Sequence, residues 1–131
     1  MIETFPRGVG IGNYQDFCRP FQTFHPELSV DHAHNDYLET AAEWGLAAAI
    51  SFWAGIGIVF VLLVRLLMRS HFVEEQGILL ACTGSIFTIL VHSLTGFNLQ
   101  IPSNAMLFFG FVGIGLGILF RKTDESAVLA E

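Results

Sequence analysis

Charge is what this 131-residue chain lacks. Asp, Glu, Lys and Arg make up 14% of it, against about 25% in an ordinary soluble domain. None of them occurs from Trp44 to Val64 or from Gln76 to Phe120. A water-soluble fold needs charges on the outer faces of segments that long, so a soluble enzyme and a disordered chain are both poor readings. Basic residues are scarcer still, 6 against 12 acids, and they form no stripe that nucleic acid would need. Cysteine is limited to Cys18 and Cys82, which excludes a disulfide framework. Cys82 falls inside an apolar run and reads as a small buried apolar residue. The opening MIETFPRGVG has no basic start followed by an apolar core, so it is not a signal peptide. The chain is expected to begin partway through a domain.

What is present is apolar: 53% of residues, with 13 Phe. Crossing a hydrocarbon core takes about 20 apolar residues. Residues 45–64, GLAAAISFWAGIGIVFVLLV, supply one span. The later run is long enough for two, broken at GFNLQIPSN, where Pro102 removes a backbone donor and biases Ile101 away from helix. The expected fold is therefore an all-α integral membrane protein with three transmembrane helices, at 45–64, 77–95 and 104–120. Residues 1–44 precede them as a loop segment carrying a short amphipathic helix.

Lys and Arg in short loops set the orientation. Arg65 and Arg69 lie in the 65–76 loop, Arg121 and Lys122 in the 121–131 tail, and none in the 96–103 loop. This places 65–76 and the tail in the cytoplasm, and residues 1–44 and 96–103 outside. The third span carries Gly113 and Gly117 as a GxxxG pair. Such a pair lets helices approach closely, so further transmembrane helices are expected as partners beside the lipid bilayer. Glycine is also simply common in membrane helices.

The chemistry-bearing stretch is SVDHAHNDYLETAAEW, 29–44. Asp36 is placed to cap a helix, with Glu39 three residues on as in a capping box. Asp36, Glu39 and Glu43 share one face; Leu38, Ala41, Ala42 and Gly45 lie toward the other. His32 and His34 stand just before this helix. Its positive end favours neutral imidazole, while Asp31, Asp36 and Glu39 favour the cation. A neutral His here can take a proton from an attacking hydroxyl, with a carboxylate orienting its other nitrogen. Two other readings stay open: a metal pair in H-x-H with Asp31 and Asp36, or solvated loop histidines. His92 lies near the outer end of the second span, on the same side, either as a functional group or snorkelling to the interface. His25 and His71 receive no role. GVGIG, at 8–12, reads as a tight turn rather than a dinucleotide site.

Three pieces, GVGIGNYQDF, DHAHNDYLETAAEWGL and HSLTGFNLQIPSNAMLFF, resemble in order the C-terminal part of the O-antigen ligase and polymerase-like superfamily. The resemblance runs along most of residues 8–112, and its last piece leans toward the polymerase-like members. These are multi-spanning bacterial inner-membrane proteins of surface polysaccharide (lipopolysaccharide) biosynthesis. The resemblance implies an inverting glycosyltransferase that uses no metal and no cofactor. The donor is a glycan on an undecaprenyl-pyrophosphate carrier; the acceptor is lipid A core or another lipid-linked glycan. It places the catalytic base on His34, with His32 second. Asn35, Asp36, Tyr37 and Glu39 match the same motif as substrate-binding residues. His92, Asn98 and Pro102 match the later block, as structure or sugar contact. Arginines neutralise the pyrophosphate in this family, and the outer-side arginines here are Arg7 and Arg19. Members have many more spans, so the chain is expected to be a fragment of a larger helical bundle, incomplete alone. The competing expectations are a non-catalytic membrane subunit and an inactive remnant.

Overall fold

A computed structural model describes residues 7–21 and 32–128 of the chain, and all its regular elements are helical. Asp31 and His25 lie outside the described residues. The elements are α1 (Tyr14–Cys18), a 3-10 turn (Arg19–Phe21), α2 (Asp36–Trp44), α3 (Leu46–Arg69), α4 (Val73–His92), a second 3-10 turn (Asn98–Gln100) and α5 (Pro102–Val128). The last three helices are long and apolar enough to cross a membrane.

Those helices differ from the expected spans mainly at their ends. α3 runs on through Arg65 to Arg69, because a helix C-terminus favours cations and long basic side chains reach out from an apolar stem. α4 starts at Val73 with Glu74 and Glu75 in its first turn, where the helix dipole favours acids. It stops at His92 rather than 95. α5 opens on Pro102 itself, since the first helical position needs no amide donor.

α3, α4 and α5 pack as a three-helix bundle around Ile56, Leu63, Leu79, Cys82, Ile86, Phe108 and Val112. Cys82 is fully buried there as a free thiol. At the basic end, Glu75 joins α4 to α5 through Arg121 and Lys122, both at 3.1 Å. Ser70 donates to the same carboxylate at 2.6 Å. His71 is exposed in the adjoining loop.

The glycines of α5 do not divide as their spacing implies. Gly113 and Gly117 face outward, with no atom within 4 Å of where a side chain would start. Gly115 is the one at the interface: a Cβ there would sit 2.6 Å from Leu63 Cδ1. Leu63 is fully buried and has little room to yield. Gly115→Ala is therefore expected to destabilise the bundle by about 1–3 kcal/mol. Gly113→Ala should leave it unchanged. Thermal unfolding of the two variants in detergent, followed by helix circular dichroism, checks the contrast.

The amphipathic helix α2 is buried on both faces, its acids together with Ala41 and Ala42. Asp36, Glu39 and Glu43 are buried, while Leu38 is 56% exposed. Acids go inward only where donors meet them, and each of the three has one: Ser93, His32 and the Tyr14 amide. The cap is also shifted by one residue. Asn35, not Asp36, accepts the Leu38 amide, at 3.0 Å. That puts Glu39 beyond the capping-box position and frees its carboxylate for a different use.

Candidate functional site

The site is built where two helix ends meet. α4 ends with carbonyl groups that have no partner inside the helix. The start of α2 supplies the donors. The Tyr37 hydroxyl donates to the Leu90 carbonyl at 2.6 Å, and the Asn35 side-chain amide to Leu94 at 2.9 Å. The Asp36 backbone amide donates to Ser93 and Gly96 carbonyls at 3.0 and 3.1 Å. The positive end of α2 thus covers the negative end of α4, a favourable dipole arrangement. Ser93 closes the joint by donating its hydroxyl to Asp36 Oδ2 at 2.7 Å. The Leu99 amide reaches the same oxygen more weakly, at 3.4 Å. Asp36 Oδ1 is buried with no hydrogen-bond partner among the described residues.

Burial pushes the Asp36 carboxyl above its ordinary value. The Ser93 hydroxyl and the Leu99 and Asn98 amides oppose that shift, and the Glu39 charge adds to it. Burial and the Asp36 charge likewise raise the Tyr37 phenol. The Tyr37 ring lies 4.2 Å from Trp53 of α3, whose indole donates to Thr40 at 2.9 Å. α2 is thereby fixed to α3 as well as to α4.

With α2 held, the residues before it meet the turn after α4. His32 stacks on Phe97, centroids 4.6 Å apart and 13° from parallel. His34 meets the same ring edge-on at 5.1 Å. His32 Nδ1 lies 2.8 Å from Glu39 Oε1. Glu39 Oε2 accepts the Ala33 amide, also at 2.8 Å. Glu39 is only 1% exposed, and the His32 side chain 36%. His34 sits in the left-handed region at φ 50° and is exposed. A non-glycine residue held there carries backbone strain, a feature that concentrates at working sites. His92 bonds Asn98 at 2.7 Å, one residue beyond Phe97, and the Asn104 amide approaches Asn98 Oδ1 at 3.4 Å.

The structure therefore brings His32, His34, Glu39, Phe97, His92 and Asn98 to one end of the bundle. Asn35, Asp36 and Tyr37 take structural positions beneath them. Of the carboxylates in the H-x-H metal reading, Asp36 turns to Ser93 and Asp31 lies outside the described residues. Among the described residues no group of three or more His, Cys, Asp or Glu is arranged to hold a metal.

The two arginines are not brought in. Arg7 is exposed and precedes Gly8, which lies against Glu43 and Gly45 at the far end of α2. That is about 13 Å of helix away from the histidines. Arg19 is exposed on the turn after α1. GVGIG is a turn with a further purpose: Val9 and Gly10 amides donate to the Ala42 and Glu43 carbonyls at 3.0 and 2.9 Å, closing α2's C-terminal end.

Two members have little local signature. Phe97 looks like one aromatic among many, and Ser93 like a polar residue ending a span. The one available signal is their position just after the apolar run that ends near His92. Comparisons with protein-family models, with curated proteins and with solved structures find no match to this chain.

Proposed function

We propose that this chain is part of a bacterial membrane glycosyltransferase of the O-antigen ligase and polymerase-like kind, with its reacting end outside the inner membrane. The observation that carries the reading is the meeting of His32 and His34 at Phe97, beside His92 and Asn98, at the bundle end opposite the cations. Arg65, Arg69, Arg121 and Lys122 belong to the other end. By the excess of Lys and Arg in cytoplasmic loops, the histidine end faces outward, where lipid-linked glycans are joined in this family.

In the reaction, an acceptor sugar hydroxyl gives its proton to an imidazole. Its oxygen forms the new bond to the anomeric carbon. The bond from that carbon to the pyrophosphate oxygen breaks, and the electron pair leaves with undecaprenyl pyrophosphate. Pyrophosphate is already a good leaving group, so a positioned base and compensating cations suffice. Arg7 is offset from the imidazoles by the length of α2. The cations of the pyrophosphate subsite are therefore assigned to helices outside this chain, with Arg7 and Arg19 as peripheral contacts.

A second reading, a non-catalytic subunit, draws on one observation. Gly113 and Gly117 face outward, beside a cavity of about 310 Å³ lined by Met106, Leu107, Gly110, Phe111 and Ile114. That face suits a further helix in either reading.

Two measurements test the proposal. In a Cys18→Ser background, a cysteine placed by Ala33→Cys is expected to react with a membrane-impermeant maleimide in intact inner-membrane vesicles of periplasm-out sense. Reaction only from the cytoplasmic side defeats it. Membranes in which the chain is expressed from its own locus are expected to move labelled glycan from its undecaprenyl-pyrophosphate carrier to an acceptor. The double variant His32→Ala/His34→Ala should lose about 10²-fold to 10⁴-fold of that rate. Undiminished transfer by the double variant removes the histidines from the mechanism.

A further inference from the structure

We infer that the proton acceptor of this site is His32, positioned by Glu39 and Phe97, and that His34 is instead a contact for substrate. The inference rests on the sugar-transfer reading for its reaction, but the pairing itself stands on geometry. Both oxygens of Glu39 are engaged, one by His32 Nδ1 and one by the Ala33 amide, each at 2.8 Å. A carboxylate held at both oxygens, and 1% exposed, cannot turn away. The Phe97 ring, nearly parallel to His32, fixes the plane of the imidazole. His34 has neither support: it touches Phe97 edge-on, and no described residue bonds its ring nitrogens. The resemblance puts the base on His34; the contacts equip its neighbour.

The tautomer follows from donor counting. An ionised carboxylate only accepts, so the hydrogen between Glu39 and His32 belongs to Nδ1. The lone pair of neutral His32 is then on Nε2, on a side chain that is 36% exposed. Nε2 takes the acceptor hydroxyl's proton as the oxygen bonds to the anomeric carbon. The resulting imidazolium keeps its Nδ1–H on Glu39, so the new positive charge forms beside a negative one. Glu39 is a positioning residue here. The other groups facing the pair are Phe97 from the turn, His34 from the same segment, Asp36 from α2 and Tyr14 from α1.

This logic predicts an unusual outcome for Glu39→Gln. The Ala33 amide can only donate, so it requires the carbonyl oxygen of the new side chain. The NH₂ group is then left facing His32, and imidazole adapts by becoming the acceptor at Nδ1. The proton moves to Nε2 and the base is lost, with the fold kept.

The test is imidazole ¹⁵N spectroscopy of the chain in lipid nanodiscs, on the neutral plateau of the measured ¹⁵N titration. The parent is expected to carry its His32 proton on Nδ1, and Glu39→Gln to carry it on Nε2. A parent protonated at Nε2, or a tautomer unmoved by Glu39→Gln, overturns the pairing whether or not the chain transfers sugar. In the transfer assay, His32→Ala and Glu39→Gln are each expected to lose about 10²-fold or more. His34→Ala should raise KM for the acceptor more than it lowers kcat. Loss of kcat in His34→Ala with His32→Ala unaffected returns the base to His34. Absence of transfer even in the parent removes the sugar-transfer reading, while the tautomer measurement still decides the pairing.

Discussion

Gly8→Val is expected to undock the 7–21 segment from the end of α2. Gly8 has φ 81°, a conformation that a β-branched side chain resists. Its missing Cβ would also overlap the Glu43 carbonyl and come within 2.5 Å of the Gly45 amide nitrogen. Those obstacles are backbone, so no rotamer change relieves them. The Glu43 carbonyl is held in turn by the Gly10 amide, and Glu43 Oε1 by the Tyr14 amide at 3.2 Å. Strain of about 1–3 kcal/mol at the dihedral and a similar amount for the overlap add to about 2–6 kcal/mol. Hydrogen exchange reads this directly. The Val9 and Gly10 amides, which donate to α2, should lose most of their protection, while the α3–α5 bundle keeps its own. Unchanged protection at both amides would show that the docking seen here does not hold the segment. Glu43 Oε2 and Trp44 Nε1, buried at this end of α2 with no hydrogen-bond partner among the described residues, should become solvated in the same variant.

The second large effect belongs to Asp36. Asp36→Ala leaves the Ser93 hydroxyl and the Leu99 amide facing a buried space with no acceptor. The cost is about 2–3 kcal/mol, most of it from Ser93, whose bond is the shorter. The Asp36 backbone amide still bonds the Ser93 and Gly96 carbonyls, so α2 is loosened rather than released. Asp36→Asn keeps the acceptor oxygen and removes the charge, and should stay near the parent. The pH dependence separates the two. Because the folded carboxyl titrates above its ordinary value of 3.8, the folded state holds the proton through a range where the unfolded state has lost it. Stability from this group is complete below that ordinary value and declines as pH rises through the folded one. The gap between parent and Asp36→Ala should therefore narrow from pH 4 toward neutrality, and Asp36→Asn should lack this slope. Chemical unfolding in detergent across that range provides the check. A parent whose stability rises with pH over the same interval, relative to Asp36→Asn, would reverse the sign and the account.

The buried acids of α2 show where local pattern misleads. An i, i+3, i+7 set of acids on a nine-residue helix reads as a water-facing side. That rule assumes water is the one good environment for acids and protein the one good environment for Leu38. Under the membrane reading, Leu38 has an apolar exterior available, and the acids have donors inside. Glu39 and His32 are seven residues apart, and their pairing was within reach of the sequence as a carboxylate orienting an imidazole. Which His it orients was not, because both histidines precede the same cap.

The sequence alone determined the helical class and the number of apolar helices, because charge-free runs and Pro102 act through backbone rules that need no distant partner. It also singled out His32, His34 and Glu39 as side chains able to carry chemistry, since imidazole and carboxylate groups can hold and move protons. The tertiary structure decided how they are paired. Asp36 with Ser93, Asn35 with Leu94, and both histidines with Phe97 join segments about sixty positions apart. Such contacts are set by how the start of α2 covers the open carbonyls of α4, a complementarity between two helix ends that neither segment contains by itself.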